Sequence, residues 1–158
     1  MPGMKRLLIV ILILCWPLTA HAWIAKVVSV TDGDTIKVYN AERGQVKIRL
    51  YGIDSPEEKG QPYGQAAGKY LAYLIAGSIV DIETVDTDRY GRTVGIVSDS
   101  ERNINQEMVR AGYAWVYRKY CDRDFCSEWL QLEDRARNAR IGLWQESNPI
   151  PPWEWRRR

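Results

Sequence analysis

The chain holds 158 residues, with 22 Lys and Arg against 20 Asp and Glu, three Cys and one His. That length supports one domain with one core, and the near-balance of charge lacks the basic surplus of a tight nucleic-acid binder. The only histidine, His21, lies in a segment that reads as a removable leader, which excludes Ser-His-Asp, Cys-His and His-ligated metal chemistry for the remainder.

The leader has Lys5 and Arg6, an apolar run over residues 7–16, Pro17, and then Ala20-His21-Ala22. These are the basic region, hydrophobic region and small-residue cleavage site of an export signal, so cleavage is expected after Ala22. The run is too short for a membrane-spanning helix; an uncleaved anchor is the alternative. Without residues 1–22 the chain keeps 20 basic and 20 acidic residues, and Cys121 and Cys126 as its only cysteines. An even pair in an exported chain suggests a disulfide rather than two free thiols. The expected location is periplasmic or secreted, with no stable membrane association after cleavage.

Residues 23–31 are rich in Val and Ile, residues 34–40 alternate Ile36 and Val38 with polar partners, and only Asp32-Gly33 separates the two. This predicts a hairpin. Residues 45–51 form a third strand. Residues 62–76 predict a helix with Ala66, Ala67, Tyr70, Leu71, Leu74 and Ile75 on one side. Strands follow at 78–86 and 92–99, joined by DTDRYG. A short helix over 103–111 is stopped by Gly112. A third helix over 127–141 turns Trp129, Leu132, Ala136 and Ala139 inward and stops at Gly142. The tail NPIPPWEWRRR carries too many prolines for either element; Trp153 and Trp155 are expected to pack on the domain while Arg156–Arg158 stay solvated. The expected organisation is a signal at 1–22, one domain at 23–146 and a tail at 147–158. Five short strands with a helix between the third and fourth fit an α+β fold built on a five-stranded OB-type barrel with about three helices; a ferredoxin-like sheet is the alternative. A closed barrel offers one polar strand face, where Arg49 and Tyr51 are expected to point.

Three segments carry candidate chemistry. TDGDT by itself is a turn. IRLYGIDSPE sends Arg49 to the polar side of a strand and ends in Asp54 and Glu57, three residues apart. DRYGR by itself reads as an ordinary loop, with Arg89 and Arg92 paired to Asp86 and Asp88. Their order and company, with a PYGQAA helix start and NQEMVRAGYA downstream, closely resemble the staphylococcal nuclease family over most of the mature chain.

That resemblance implies an OB-fold, calcium-dependent endonuclease that cuts DNA and RNA and leaves 3′-phosphates. It implies Asp34 and Asp54 as Ca2+ ligands, with the backbone carbonyl of Ser55. It implies Arg49, Glu57 and Arg92 as catalytic residues, with Tyr90 near the bound phosphate and Tyr117 on the same side. A monomer is expected. Three departures stand out. Ser55 replaces a frequent threonine, a mild change for a main-chain ligand. The loop from Glu57 to Tyr63 is shorter than in the family's prototype, so substrate contacts of that loop do not carry over. The Cys121–Cys126 pair and the PPWEWRRR tail have no counterpart in the prototype.

The residue types suit the chemistry. A hard, oxygen-ligated cation offsets the phosphodiester's charge and helps position water. Arginine forks match phosphate oxygens two at a time and stay charged. With no histidine left, Glu57 is the side chain to orient or deprotonate water. The competing reading is a non-catalytic OB module that binds nucleic acid or a protein; it is disfavoured because all the acids and arginines are present.

Overall fold

The structure, a computed structural model, describes residues 22–158. The leader reading therefore falls on residues outside those described, apart from Ala22. Five strands close a barrel in the order β1-β2-β3-β6-β5. They are β1 (Ala22–Asp32), β2 (Thr35–Asn40), β3 (Gly44–Leu50), β5 (Ile79–Thr87) and β6 (Thr93–Ser98). All neighbouring pairs are antiparallel except β3 with β6, which run parallel. The fold is thus α+β on a closed five-stranded mixed barrel, and the ferredoxin-like alternative falls away. Closure pairs both edges of every strand, which is how a small sheet avoids an exposed edge.

Alternation fills the barrel. Trp23, Ala25 and Val27 of β1, Ile36 and Val38 of β2, Ile48 and Leu50 of β3, and Val80 and Ile82 of β5 are buried in one core. Helix α1 (Gly64–Ile75) lies on this barrel, burying Ala67, Leu71, Leu74 and Ile75. Helix α2 (Ile104–Arg110) is capped by Asn103, whose side chain accepts from the Gln106 N–H at 3.0 Å. This is the amide-accepting cap that a helix start needs. Asn105 is fully buried and stitches the barrel mouth: it accepts from Val97 N and donates to the carbonyls of Tyr51 and Gly95.

Helix α3 (Cys126–Asn138) buries Trp129, Leu132 and Ala136, as the periodicity predicts. It ends earlier than expected. Ala139 is exposed, not inward, because it is already the C-cap, and Arg140 takes a positive φ of 52°. Glu133, a carboxylate 2 % exposed, also lies on the buried face; it is in phase with Trp129 and Ala136, but its charge leaves it out of the expected inward set. It accepts from Val116 N at 2.6 Å and pairs with Arg137 at 3.1 Å.

Three features were not legible beforehand. Ile53–Asp54 (β4) and Trp115–Val116 (β7) pair antiparallel as a two-stranded ribbon. The hairpin turn is Gly33-Asp34, since Asp32 pairs with Thr35, and neither turn residue has a positive φ. The tail does form an element, a one-turn helix α4 (Pro152–Trp155) that uses Pro152 at its start, where a missing N–H costs nothing. Trp153 stacks on Tyr117 at 4.9 Å and meets Trp115 edge-on at 5.8 Å. A satellite core of Trp115, Ala136, Leu143 and Trp144 lies beneath it. Cys121 and Cys126 are joined in a disulfide.

Candidate active site

The β1–β2 turn and the end of β3 meet at one end of the barrel. Strand pairing sets Thr35 opposite Arg49, and Leu50 N donates to the Asp34 carbonyl at 2.8 Å. β4 then carries Asp54 back beside the turn. The approach is close enough that a Cβ on Gly33 would fall 2.6 Å from Ala67 Cβ and 2.7 Å from Ser55 Cβ. Glycine is needed there for space, not for backbone freedom.

Asp34 and Asp54 are buried, 6 % and 1 % exposed. Arg49 bridges them, with Nη1 2.8 Å from Asp34 Oδ1 and Nη2 2.9 Å from Asp54 Oδ1. Asp34 also accepts from Ser55 N at 2.7 Å, Ser55 Oγ at 3.0 Å and Thr35 Oγ1 at 3.0 Å. Burial pushes the Asp34 carboxyl up, but the Arg49 charge and the Ser55 N–H outweigh it, and the net direction is down. Asp54 goes the other way: burial, with the Asp34 charge added, exceeds the help from Arg156 and Arg49. Asp32, behind the turn, is pushed up to about 7 by burial and by the neighbouring Asp34 charge. Crowded carboxylates with split proton affinities mark a place built to receive positive charge.

Glu57 stands at the rim. Its N–H donates to Gln61 Oε1 at 2.8 Å, and Gln61 Nε2 donates to the Ile150 carbonyl at 2.8 Å. One buried amide thus fixes the Glu57 loop to the tail. Across the cleft, Asp88 organises the β5–β6 loop. It accepts from Tyr90 N and Arg92 N, and its Oδ2 holds Arg92 Nε at 2.6 Å. The terminal nitrogens of Arg92 have no hydrogen-bond partner among the described residues. The cleft between these walls has a volume of about 940 Å³ and is lined by Asp34, Arg49, Asp54, Glu57, Tyr90, Arg92 and Tyr117, among others.

The staphylococcal nuclease homologue model matches residues 47–146. The chain belongs to the staphylococcal nuclease family. It is 42 % identical over 155 residues to an uncharacterized endonuclease of Escherichia coli O157:H7, covering 98 % of each chain. It is 39 % identical over 141 residues to a micrococcal nuclease of Shigella flexneri, covering 84 % of this chain and 79 % of the relative. An uncharacterized endonuclease of Haemophilus influenzae is 39 % identical over 132 residues, with 84 % of this chain and 72 % of the relative covered.

For a staphylococcal nuclease, the sequence-predicted residues divide into two groups. Asp34, Arg49, Asp54 and Ser55 are in direct contact, and Glu57 joins Asp54 through a shared arginine. Arg92 and Tyr90 line the same cleft from the far wall, with the Arg92 guanidinium 5.6 Å from the Tyr90 ring. Tyr117 also lines it, but one ring face is covered by Trp153. Tyr51 refines an expectation. It lines the same cleft as Arg49, but it is 4 % exposed and its hydroxyl is committed to Asp122, donating to Oδ1 and accepting from the backbone N–H.

The larger correction is Arg156. It is not left to solvent: Nη2 lies 2.7 Å from Asp54 Oδ2 and Nη1 lies 2.5 Å from Glu57 Oε1. Burial works against its charge, but hydrogen bonds to Asp54 and Glu57 hold the proton more firmly than usual. No local motif marks it, because its partners are 99 and 102 residues away. Gln61 was also missed, because one of its two partners, the Ile150 carbonyl, is 89 residues away; Asp88 does pair with Arg92, as the loop reading expected.

The donor set fits calcium. It offers hard oxygens only, and two of the carboxylates are close enough to be spanned by one guanidinium. A second guanidinium already sits on Asp54 as a cation would. Among the described residues no three His, Cys, Asp or Glu side chains converge as a metal cluster, so remaining positions would fall to main-chain oxygen and water.

Proposed function

We propose that this chain is a calcium-dependent endonuclease that hydrolyses phosphodiester bonds of DNA and RNA and leaves 3′-phosphate ends. The observation that carries the reading is Arg49 spanning Asp34 and Asp54 beside Glu57 in one open cleft. Asp34, Asp54 and the Ser55 carbonyl would hold the ion, which when bound neutralises phosphate charge and helps order water. Glu57 orients the attacking water or takes its proton. Water oxygen bonds to phosphorus as its proton passes towards Glu57, the bond to the 5′ oxygen breaks, and that oxygen takes a proton from solvent in the open cleft. Arg49 and Arg92 grip the oxygens of the five-coordinate phosphorus as charge grows on it. Asp88 is a positioning residue: by taking Arg92 Nε it leaves the two terminal nitrogens for phosphate. Tyr90 and Tyr117 flank the substrate.

Residues 23–146 would form the catalytic domain, with 147–158 a tail that closes on it after removal of 1–22. Export to the periplasm or medium is supported by the disulfide. No helix of the described residues is long and apolar enough to cross a membrane. The working form would be a monomer.

The deciding experiment mixes mature protein with circular plasmid, and separately with RNA, in calcium, magnesium or EGTA. Calcium should give nicking and then degradation of both. Magnesium should support far less, because it demands a strict octahedron and holds its waters. Glu57→Gln should bind DNA like wild type and cut it much more slowly. DNA binding without any cutting in calcium would establish the non-catalytic module instead; cutting that survives EGTA would remove Asp34 and Asp54 from a metal role.

A further inference from the structure

The tail places a fixed positive charge where the proposed metal site needs an open carboxylate. Arg156 makes three contacts with two acids: Nη2 with Asp54 Oδ2 at 2.7 Å, and Nη1 with Asp54 Oδ1 at 3.3 Å and Glu57 Oε1 at 2.5 Å. Asp54 Oδ1 is held by Arg49 at 2.9 Å, so Arg156 makes its shorter contact with Oδ2 and only a longer one with Oδ1, and fills the gap between Asp54 and Glu57. The placement is built. Trp153 is clamped between Tyr117 and Trp115, Ile150 accepts from Gln61, and one turn of α4 carries the chain from Trp153 to Arg156. A tethered guanidinium meets its partners at a high effective concentration. Yet the Arg156 side chain keeps 42 % of its exposure. It can swing into the cleft without unpacking the tail, since its anchors lie on other residues.

We propose that Arg156 is an additional active-site residue that serves as a resident cation, held by Asp54 and Glu57 until a divalent ion displaces it. The proposal rests on the calcium-site reading above. Asp54 already carries two guanidinium groups, and a divalent ion in direct contact would be a third cation on one carboxylate, so metal entry and release of Arg156, the more exposed of the two arginines, are one exchange. In the metal-free protein, the guanidinium offsets the repulsion between Asp54 and Glu57. The cost is borne by metal affinity: a site occupied by its own side chain most of the time binds its ligand more weakly by the fraction left open. Such exchange moves the enzyme's response to higher calcium without changing its steepness.

The test is calcium titration by calorimetry on full-length mature protein, in which activity plays no part. Arg156→Ala should bind calcium about tenfold more tightly than wild type, equivalent to about 1.4 kcal/mol. Arg156→Lys, with one point charge in place of a fork, should fall between them. Arg157→Ala, whose side chain makes no ion pair among the described residues, should match wild type. Asp54→Asn should abolish binding with or without Arg156. In the nuclease assay the half-saturating calcium of Arg156→Ala should shift down by the same factor. Unchanged or weaker calcium binding in Arg156→Ala, with Asp54→Asn still abolishing it, would overturn the exchange and leave the metal site intact. Calcium binding to none of the proteins would overturn both. Tail docking in Arg156→Ala is checked by near-ultraviolet circular dichroism of the Trp153–Tyr117 stack, so tighter binding by a protein with its tail still seated supports exchange specifically.

Discussion

Arg49→Lys isolates what the guanidinium fork contributes. Arg49 is 15 % exposed at its side chain and ties two buried carboxylates together at 2.8 and 2.9 Å. An ammonium keeps the charge but is a single point, so it can satisfy one carboxylate well and leaves the other short of a partner. Losing one charge-assisted hydrogen bond at a buried acid costs about 2 kcal/mol. In a domain of this size that lowers the melting temperature by about 8 °C. The loss should be largest in EGTA and should shrink in millimolar calcium, because the ion neutralises the same two carboxylates. Catalysis should fall further than stability or binding, by about 10²-fold in kcat, since the fork is worth most against transition-state charge. Differential scanning calorimetry with and without calcium, beside single-turnover cleavage of a labelled oligonucleotide, measures both. Arg43→Lys is the control, as Arg43 lies over the Trp23 ring and outside the cleft. If Arg49→Lys melted and cut like Arg43→Lys, the bridging role would be wrong.

Gly33→Ala should lower stability by about 1–3 kcal/mol and weaken calcium binding, since its methyl must push Ala67 or Ser55 aside; unchanged melting would show that the turn yields freely. Replacing both Cys121 and Cys126 with serine should cost at most about 2 kcal/mol, because the bridge closes a loop of only five residues' separation; chemical denaturation reads this, and loss of folding would contradict it. Burial, only partly offset by Val116 N–H and Arg137, raises the Glu133 carboxyl above its ordinary value. The folded state therefore holds that proton more tightly than the unfolded one, and stability should fall as pH rises from the ordinary glutamate value through the raised one. Glu133→Gln, which keeps an acceptor for Val116 N–H, should lose that slope in urea titrations run at several pH values.

The sequence by itself determined the barrel and most of the site. Alternation in β1, β2 and β3 puts Ile36, Val38, Ile48 and Leu50 inside, because a side-chain period of two leaves no other face for them. Asp34 and Asp54 became candidates through the family resemblance that TDGDT and IRLYGIDSPE carry together; each motif alone reads as a turn or a strand end. Tertiary structure decided the rest. Strand pairing, not spacing, makes Gly33-Asp34 the turn and brings Arg49 onto both carboxylates. Glu133 falls in phase with Trp129, Leu132 and Ala136 on the buried face, and its charge is tolerated there because Val116 N–H, in a ribbon with no local signal, needs an acceptor. The tail's prolines read as disorder of pattern, yet they start a helix whose docking depends on Tyr117, Trp115 and Gln61. Arg156 reaches Asp54 across 102 residues of chain. An ion pair of that separation leaves no periodicity or motif in the sequence, because it exists only once the barrel has closed and the tail has been laid across its mouth.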